Sequence, residues 1–119
     1  MTGLQIYNLA KAKLYEDTGI NIPEERYSVH FLNQTLAETF SVENNIRESN
    51  GEELLNSIPW ITKIEDEIPY HEELTRTAFV YAMAEHYWQE ELDTYQAEVC
   101  HGRYLQAVND CKRGIWVTL

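Results

Sequence analysis

The stretch Pro69–Leu92, PYHEELTRTAFVYAMAEHYWQEEL, constrains this chain more than any other. Leu74, Ala78, Tyr81, Ala82, Trp88 and Leu92 follow i, i+4, i+7, i+8 spacing, with Glu85 the one polar intrusion. That spacing puts them on a single stripe of an α-helix. Phe79, Met83 and Tyr87 form a second row beside it, so the apolar face is wide. At the rise of an α-helix the element would be roughly 33–36 Å long, about the diameter of a small domain. Pro69 fits the first turn, where its missing N–H costs nothing, and Glu72 and Glu73 fall at the positive end of the helix dipole. Ala78, Ala82 and Ala84, set between large aromatics, let neighbouring helices come close. The stretch predicts a central core helix.

Three further helices are expected around it. Residues 4–17 place Leu4, Tyr7, Ala10 and Leu14 on one stripe, flanked by Ile6, Leu9 and Tyr15, with Gly19 and Pro23 to end the helix. Residues 24–40 carry Val29, Leu32, Leu36 and Phe40 on one face, after Pro23 and the acidic pair Glu24 and Glu25. Residues 95–113 put Tyr95, Val99, Tyr104, Val108 and Cys111 near one face, with Ala97, Cys100 and Ala107 adjoining. Asp93 and Thr94 offer that helix a cap, and Lys112, Arg113 and Gly114 suit its end. The fold class is all-α: a bundle-like domain of four helices spanning 1–119.

Two segments stand outside the helical periods. Residues 41–68 show none that is sustained. Asn50-Gly51 is a turn or hairpin signal, and SIPWITKI after it is β-branched and aromatic, with Pro59 restricting any strand to an edge. So long a connection in a compact domain is usually functional. The excursion is expected to form a β-hairpin that either covers the helices or reaches a neighbour through Ile58, Trp60, Ile61 and Ile64. The arm 114–119 ends in IWVTL. It either folds back on the helices or docks onto another chain, and Ile115, Trp116, Val117 and Leu119 are assigned to docking.

Charge narrows the function classes. Twenty acids against nine bases give a net charge of −11. Residues 38–98 hold fifteen of those acids and three bases, net −12, whereas residues 99–119 hold one acid and three bases, net +2. General nucleic-acid binding needs a basic footprint and is disfavoured. The acids, above all Glu65, Asp66, Glu67, Glu72 and Glu73, form either a solvated surface or one that repels DNA or meets a basic partner. No apolar run reaches the roughly 18 residues of a membrane span, and no signal peptide precedes the first helix. These features point to the cytosol, or to an assembly built there.

Cys100 and Cys111, about 16 Å apart on one helix, are too distant for a mutual disulfide and read as small buried thiols. Glu98 and His101 make an Glu-x-x-His pair on a helix, but a di-iron bundle needs two such motifs, and His30, His71 and His86 lack the glutamate. Nothing matches HExxH, a GxSxG elbow, a P-loop or GxGxxG. The expectation is no metal, no cofactor and no catalysis.

The order of the parts resembles the helical head–tail connector (adaptor or neck) proteins of tailed bacteriophages. The phrases that carry the likeness are AKAKLYED, FLNQTLAETF, the acidic lead-in DEIPYHEEL, the core helix TAFVYAMAEHYW and the late GRYLQAVNDC. The resemblance implies a structural virion protein of the neck, assembled in the host cytoplasm. It implies a homo-oligomeric ring, typically of twelve copies, between the portal protein and the next neck or tail protein. DNA would pass through that ring without specific binding. The strong acidity belongs to no matched motif and stays a physical argument: a channel that DNA slides through should not bind phosphate. The alternative is a small acidic helical regulatory or inhibitor protein that binds a basic partner.

Overall fold

A computed structural model describes residues 1–18 and 25–112. The chain is all-α. Its elements are α1 (Gly3–Thr18), α2 (Glu25–Ser49), a single turn α3 (Glu72–Thr75), α4 (Ala78–Glu90) and α5 (Thr94–Lys112). The extents are 42 × 29 × 19 Å. Helix α4 packs against α5, α1 and α2, so the element expected at the centre is there. No strand forms among the described residues; an isolated bridge joins Thr2 to Glu67.

Helix α1 opens on a capping box. The Gln5 N–H donates to Thr2 Oγ1 (3.1 Å), and the Gln5 side chain accepts from the Thr2 N–H (2.9 Å). Two further amide donors at this helix start find carbonyls in another part of the chain, Gly3 to Asp66 (3.1 Å) and Leu4 to Ile64 (2.6 Å). The approach is close: a Cβ on Gly3 would stand 2.7 Å from the Ile64 carbonyl oxygen.

Helix α2 runs nine residues beyond the expected end at Phe40. Its inner face is Ser28, Leu32, Thr35, Leu36, Thr39, Val42, Glu43 and Ile46, a continuous helical period in which half the members are polar. The hydroxyls of Thr35 and Thr39 donate to carbonyls one turn back, Phe31 (3.0 Å) and Thr35 (2.7 Å), which lets them be buried. The helix ends at Asn50-Gly51. Gly51 takes φ 72°, its N–H bonds Glu48 O (3.1 Å), and Glu52 N–H bonds Arg47 O (2.8 Å). This is a Schellman C-cap. The Asn-Gly signal thus marks a helix end; the β-hairpin expected there is not formed.

Residues 52–71 cross α2 as an extended strap. Asn44 grips Leu55 at both backbone groups, accepting from its N–H (2.9 Å) and donating to its carbonyl (3.1 Å). Asn33 grips Ile61 in the same way, at 2.9 Å each. The two asparagines lie three helical turns apart on one face, and the strap runs antiparallel to α2. Each amide does for the strap what a neighbouring strand would do, which satisfies backbone groups without a sheet.

The long helix read over Pro69–Leu92 is shortened at both ends and broken within. Residues 69–71 stay extended because α2 holds them: Arg47 Nη2 donates to Pro69 O (2.6 Å), Tyr70 OH to Leu36 O (2.7 Å), and His71 N–H to Glu43 (2.8 Å). The helix therefore begins at Glu72 and breaks at Arg76-Thr77. There the Thr77 hydroxyl takes the Glu73 carbonyl (2.6 Å), which also lies 3.6 Å from the Cys111 thiol. At the far end, Leu92 is 88% exposed with φ 58°, off the apolar stripe. It stands where a glycine usually closes a Schellman cap, with Leu92 N–H on Gln89 O (3.1 Å) and Asp93 N–H on Trp88 O (3.0 Å). Asp93 then caps α5 through the Gln96 N–H (3.0 Å). Along α5, Ala97, Cys100, Tyr104, Ala107 and Cys111 are buried as expected, whereas Tyr95 is 73% exposed. Cys100 and Cys111 are buried thiols.

Candidate functional site

The strap carries the residues that sequence reasoning assigned to partners, and the structure divides them. Ile61 and Ile64 are both 4% exposed and belong to this chain's own core, and Ile58 is half-buried against it. Trp60 is 59% exposed. That corrects the docking group: an isoleucine already buried in the subunit offers a partner nothing. The other assigned residues, Ile115, Trp116, Val117 and Leu119, lie outside the described residues, as do Arg113 and Gly114 at the expected helix end.

Trp60 owes its position to Pro59. The Trp60 N–H bonds Ile58 O (2.9 Å), a three-residue turn over a proline whose φ is already fixed near the required value. Asn33 fixes the next residue, Ile61, against α2. The indole is thus exposed on a segment anchored at its neighbours. Beside it lies an open recess of about 540 Å³, lined by Trp60 and by the α2 residues His30, Asn33, Gln34, Ala37 and Glu38. Glu38 is held by Tyr104 of α5, whose hydroxyl donates to it (2.8 Å). Burial, with this carboxylate, raises the Tyr104 pKa above the usual tyrosine value.

Beneath the strap's two ends sits an ionic clamp that sequence reasoning missed. Glu43, 0% exposed, accepts from Arg47 Nε (2.6 Å) and from the His71 N–H, and lies 2.9 Å from His71 Nδ1. His71 Nε2 faces Glu52 (3.0 Å), and Arg47 reaches the carbonyls of Glu53 (3.1 Å) and Pro69 (2.6 Å). A protonated imidazole donates to carboxylates on both sides. Burial by itself opposes that proton, but hydrogen bonds to Glu43 and Glu52, with their charges, outweigh it and raise the His71 pKa. The only trace in the sequence is Glu43-x-x-x-Arg47, an i, i+4 pair indistinguishable from a surface one.

The acids fall into different roles. Glu65, Glu67 and Glu72 are exposed, while Glu73 is half-buried. Asp66 has a local task besides. Its carboxylate accepts from the N–H groups of Thr62 (2.8 Å) and Lys63 (3.0 Å), and those bonds lower its pKa. Glu67 meets the Met1 ammonium (3.0 Å), and Glu72 meets Arg76 (3.1 Å).

The pair Glu98 and His101 does not act together. His101 Nδ1 turns across to Glu85 of α4 (2.9 Å), and Glu85 also accepts from Gln89 (3.0 Å). Glu85 is thus a helix-edge carboxylate. His86 stacks flat on Phe31 of α2, centroids 4.1 Å apart, and its burial lowers its pKa. Among the described residues no three His, Cys, Asp or Glu side chains stand together in a way that could hold a metal ion, and no helix is long and apolar enough to cross a membrane. In comparisons with protein-family models, curated proteins and solved structures, nothing matches this chain.

Proposed function

We propose that the chain is a structural, non-catalytic subunit of a bacteriophage neck: an adaptor that joins a ring between the portal and the next neck or tail protein. The resemblance of FLNQTLAETF, DEIPYHEEL and TAFVYAMAEHYW to head–tail connectors motivates the reading, and the all-α architecture agrees with it. The geometric observation that carries it is Trp60. An exposed tryptophan on a hydrogen-bonded strap is a docking anchor, since buried aromatic anchors dominate interface energetics and a fixed backbone lowers the entropy cost of binding. In this reading the bundle-like body is the platform and the strap and C-terminal arm are the contacts. Glu65, Glu67 and Glu72 face the passage through which DNA slides.

The test is Trp60→Ala in the full chain, followed by thermal melting and by incorporation into particles assembled in cells that supply the portal. The expected result is near-unchanged melting with incorporation lost. Normal incorporation would refute the anchoring role of Trp60. Failure of the wild-type chain to associate with portal-bearing particles would refute the neck assignment itself.

A further inference from the structure

Bases are scarce in this chain, yet two converge on one ring. Lys13 of α1 places Nζ 5.2 Å from the centroid of Tyr81 on α4, and the Arg103 guanidinium of α5 stands 6.0 Å from the same centroid. Among the described residues no carboxylate lies within ion-pair distance of Lys13 or Arg103. With twenty acids to nine bases, two adjacent cations without such a partner among the described residues are unexpected. Cation–π attraction to Tyr81 holds each of them, but the two like charges repel across the ring. An open recess of about 330 Å³ adjoins them, and its lining includes Lys13, Leu9, Val80 and Arg76, the last paired with Glu72 (3.1 Å).

We propose that this α1–α4–α5 face is a docking surface for an acidic protein segment, with carboxylates meeting Lys13 and Arg103 and an apolar side chain resting in the recess against Leu9 and Val80. Charge complementarity selects the occupant. A long phosphate backbone would bring the net charge of −11 into play and be repelled by the rest of the surface, whereas a short acidic segment touches only the cationic face. The surface is separate from the Trp60 recess and stands whether or not the neck reading does.

The experiment titrates the full chain at low salt with short oligomers of poly-L-glutamate, following the Tyr81 ring resonances by NMR, and repeats the titration with a long DNA duplex. Lys13→Glu with Arg103→Glu is compared with Lys11→Glu with Lys63→Glu, which changes the net charge equally elsewhere. Saturating Tyr81 shifts are expected with polyglutamate and none with DNA. The first pair should weaken binding by about tenfold and the second by less than about twofold. Should the reversed pair not fold, Lys13→Gln with Arg103→Gln gives the same contrast. Equal losses in both pairs, saturating shifts with DNA, or no Tyr81 shift up to about 1 mM polyglutamate would overturn the proposal.

Discussion

Replacing Asn33 with alanine tests the strap directly. The side chain makes two bonds to Ile61, each 2.9 Å, one to its N–H and one to its carbonyl. Ile61 is buried, so water does not readily replace them. A made hydrogen bond contributes about 1 kcal/mol net, and a buried group left without a partner costs about 1–3 kcal/mol. Against this, alanine is the better helix former, which returns a few tenths of a kcal/mol, up to about 0.7. The expected loss is about 2–4 kcal/mol in urea unfolding. Asn44→Ala should cost about 1–2 kcal/mol, because Leu55 is only half-buried and solvent can serve it. Hydrogen exchange should show the Ile61 amide losing protection in the first variant and the Leu55 amide in the second. A change within about 0.5 kcal/mol for Asn33→Ala, or an Ile61 amide that exchanges as before, would refute the idea that helix amides hold the strap.

Leu92→Gly should raise stability by about 1 kcal/mol, because an exposed leucine in the left-handed region is strained and glycine is not; a loss on urea unfolding would contradict this. Gly3→Ala should cost about 1–3 kcal/mol, as its Cβ would meet the Ile64 carbonyl at 2.7 Å, and near-neutrality would mean the α1 start shifts freely. His71 contributes through its raised pKa. Its stabilisation is fully present below the unfolded value near 6.5, and is lost as pH rises through the higher folded value. Urea unfolding across pH 6 to 8 should show that decline in the wild type and not in His71→Gln; an equal slope in both would place the effect elsewhere.

The helices were legible where apolar residues carry the period. Tyr7 and Ala10 on α1, Phe79 and Met83 on α4, and Ala107 and Cys111 on α5 are buried where their spacing puts them. The second half of α2 was not legible, because Thr39 and Glu43 occupy core positions that only tertiary partners make tolerable: a carbonyl one turn back for the hydroxyl, Arg47 and His71 for the carboxylate. Likewise the break at Thr77 and the extended Pro69–His71 follow from bonds to α2 and α5, and local propensity cannot register these. In SIPWITKI the buried residues Ile61 and Ile64 stand three apart rather than in strand alternation, with Trp60 open, and the apolar character of the segment was the signal. It could not say whose core the buried residues would enter.

The grip of α2 on the strap also sets which insertions the chain can absorb. Asn33 and Asn44 face the same way only because their spacing is close to a whole number of turns. A single residue added anywhere between them would rotate one amide by about 100° relative to the other and tear the strap from one of its holds. A residue added at 56–57, between the two gripped positions, would leave both holds in place and only deepen a surface bend, the kind of change that exposed loop tips accept. The helix therefore fixes the phase of this region and the strap takes up the slack. Length variation among chains built this way should collect in the strap and be absent from the middle of α2.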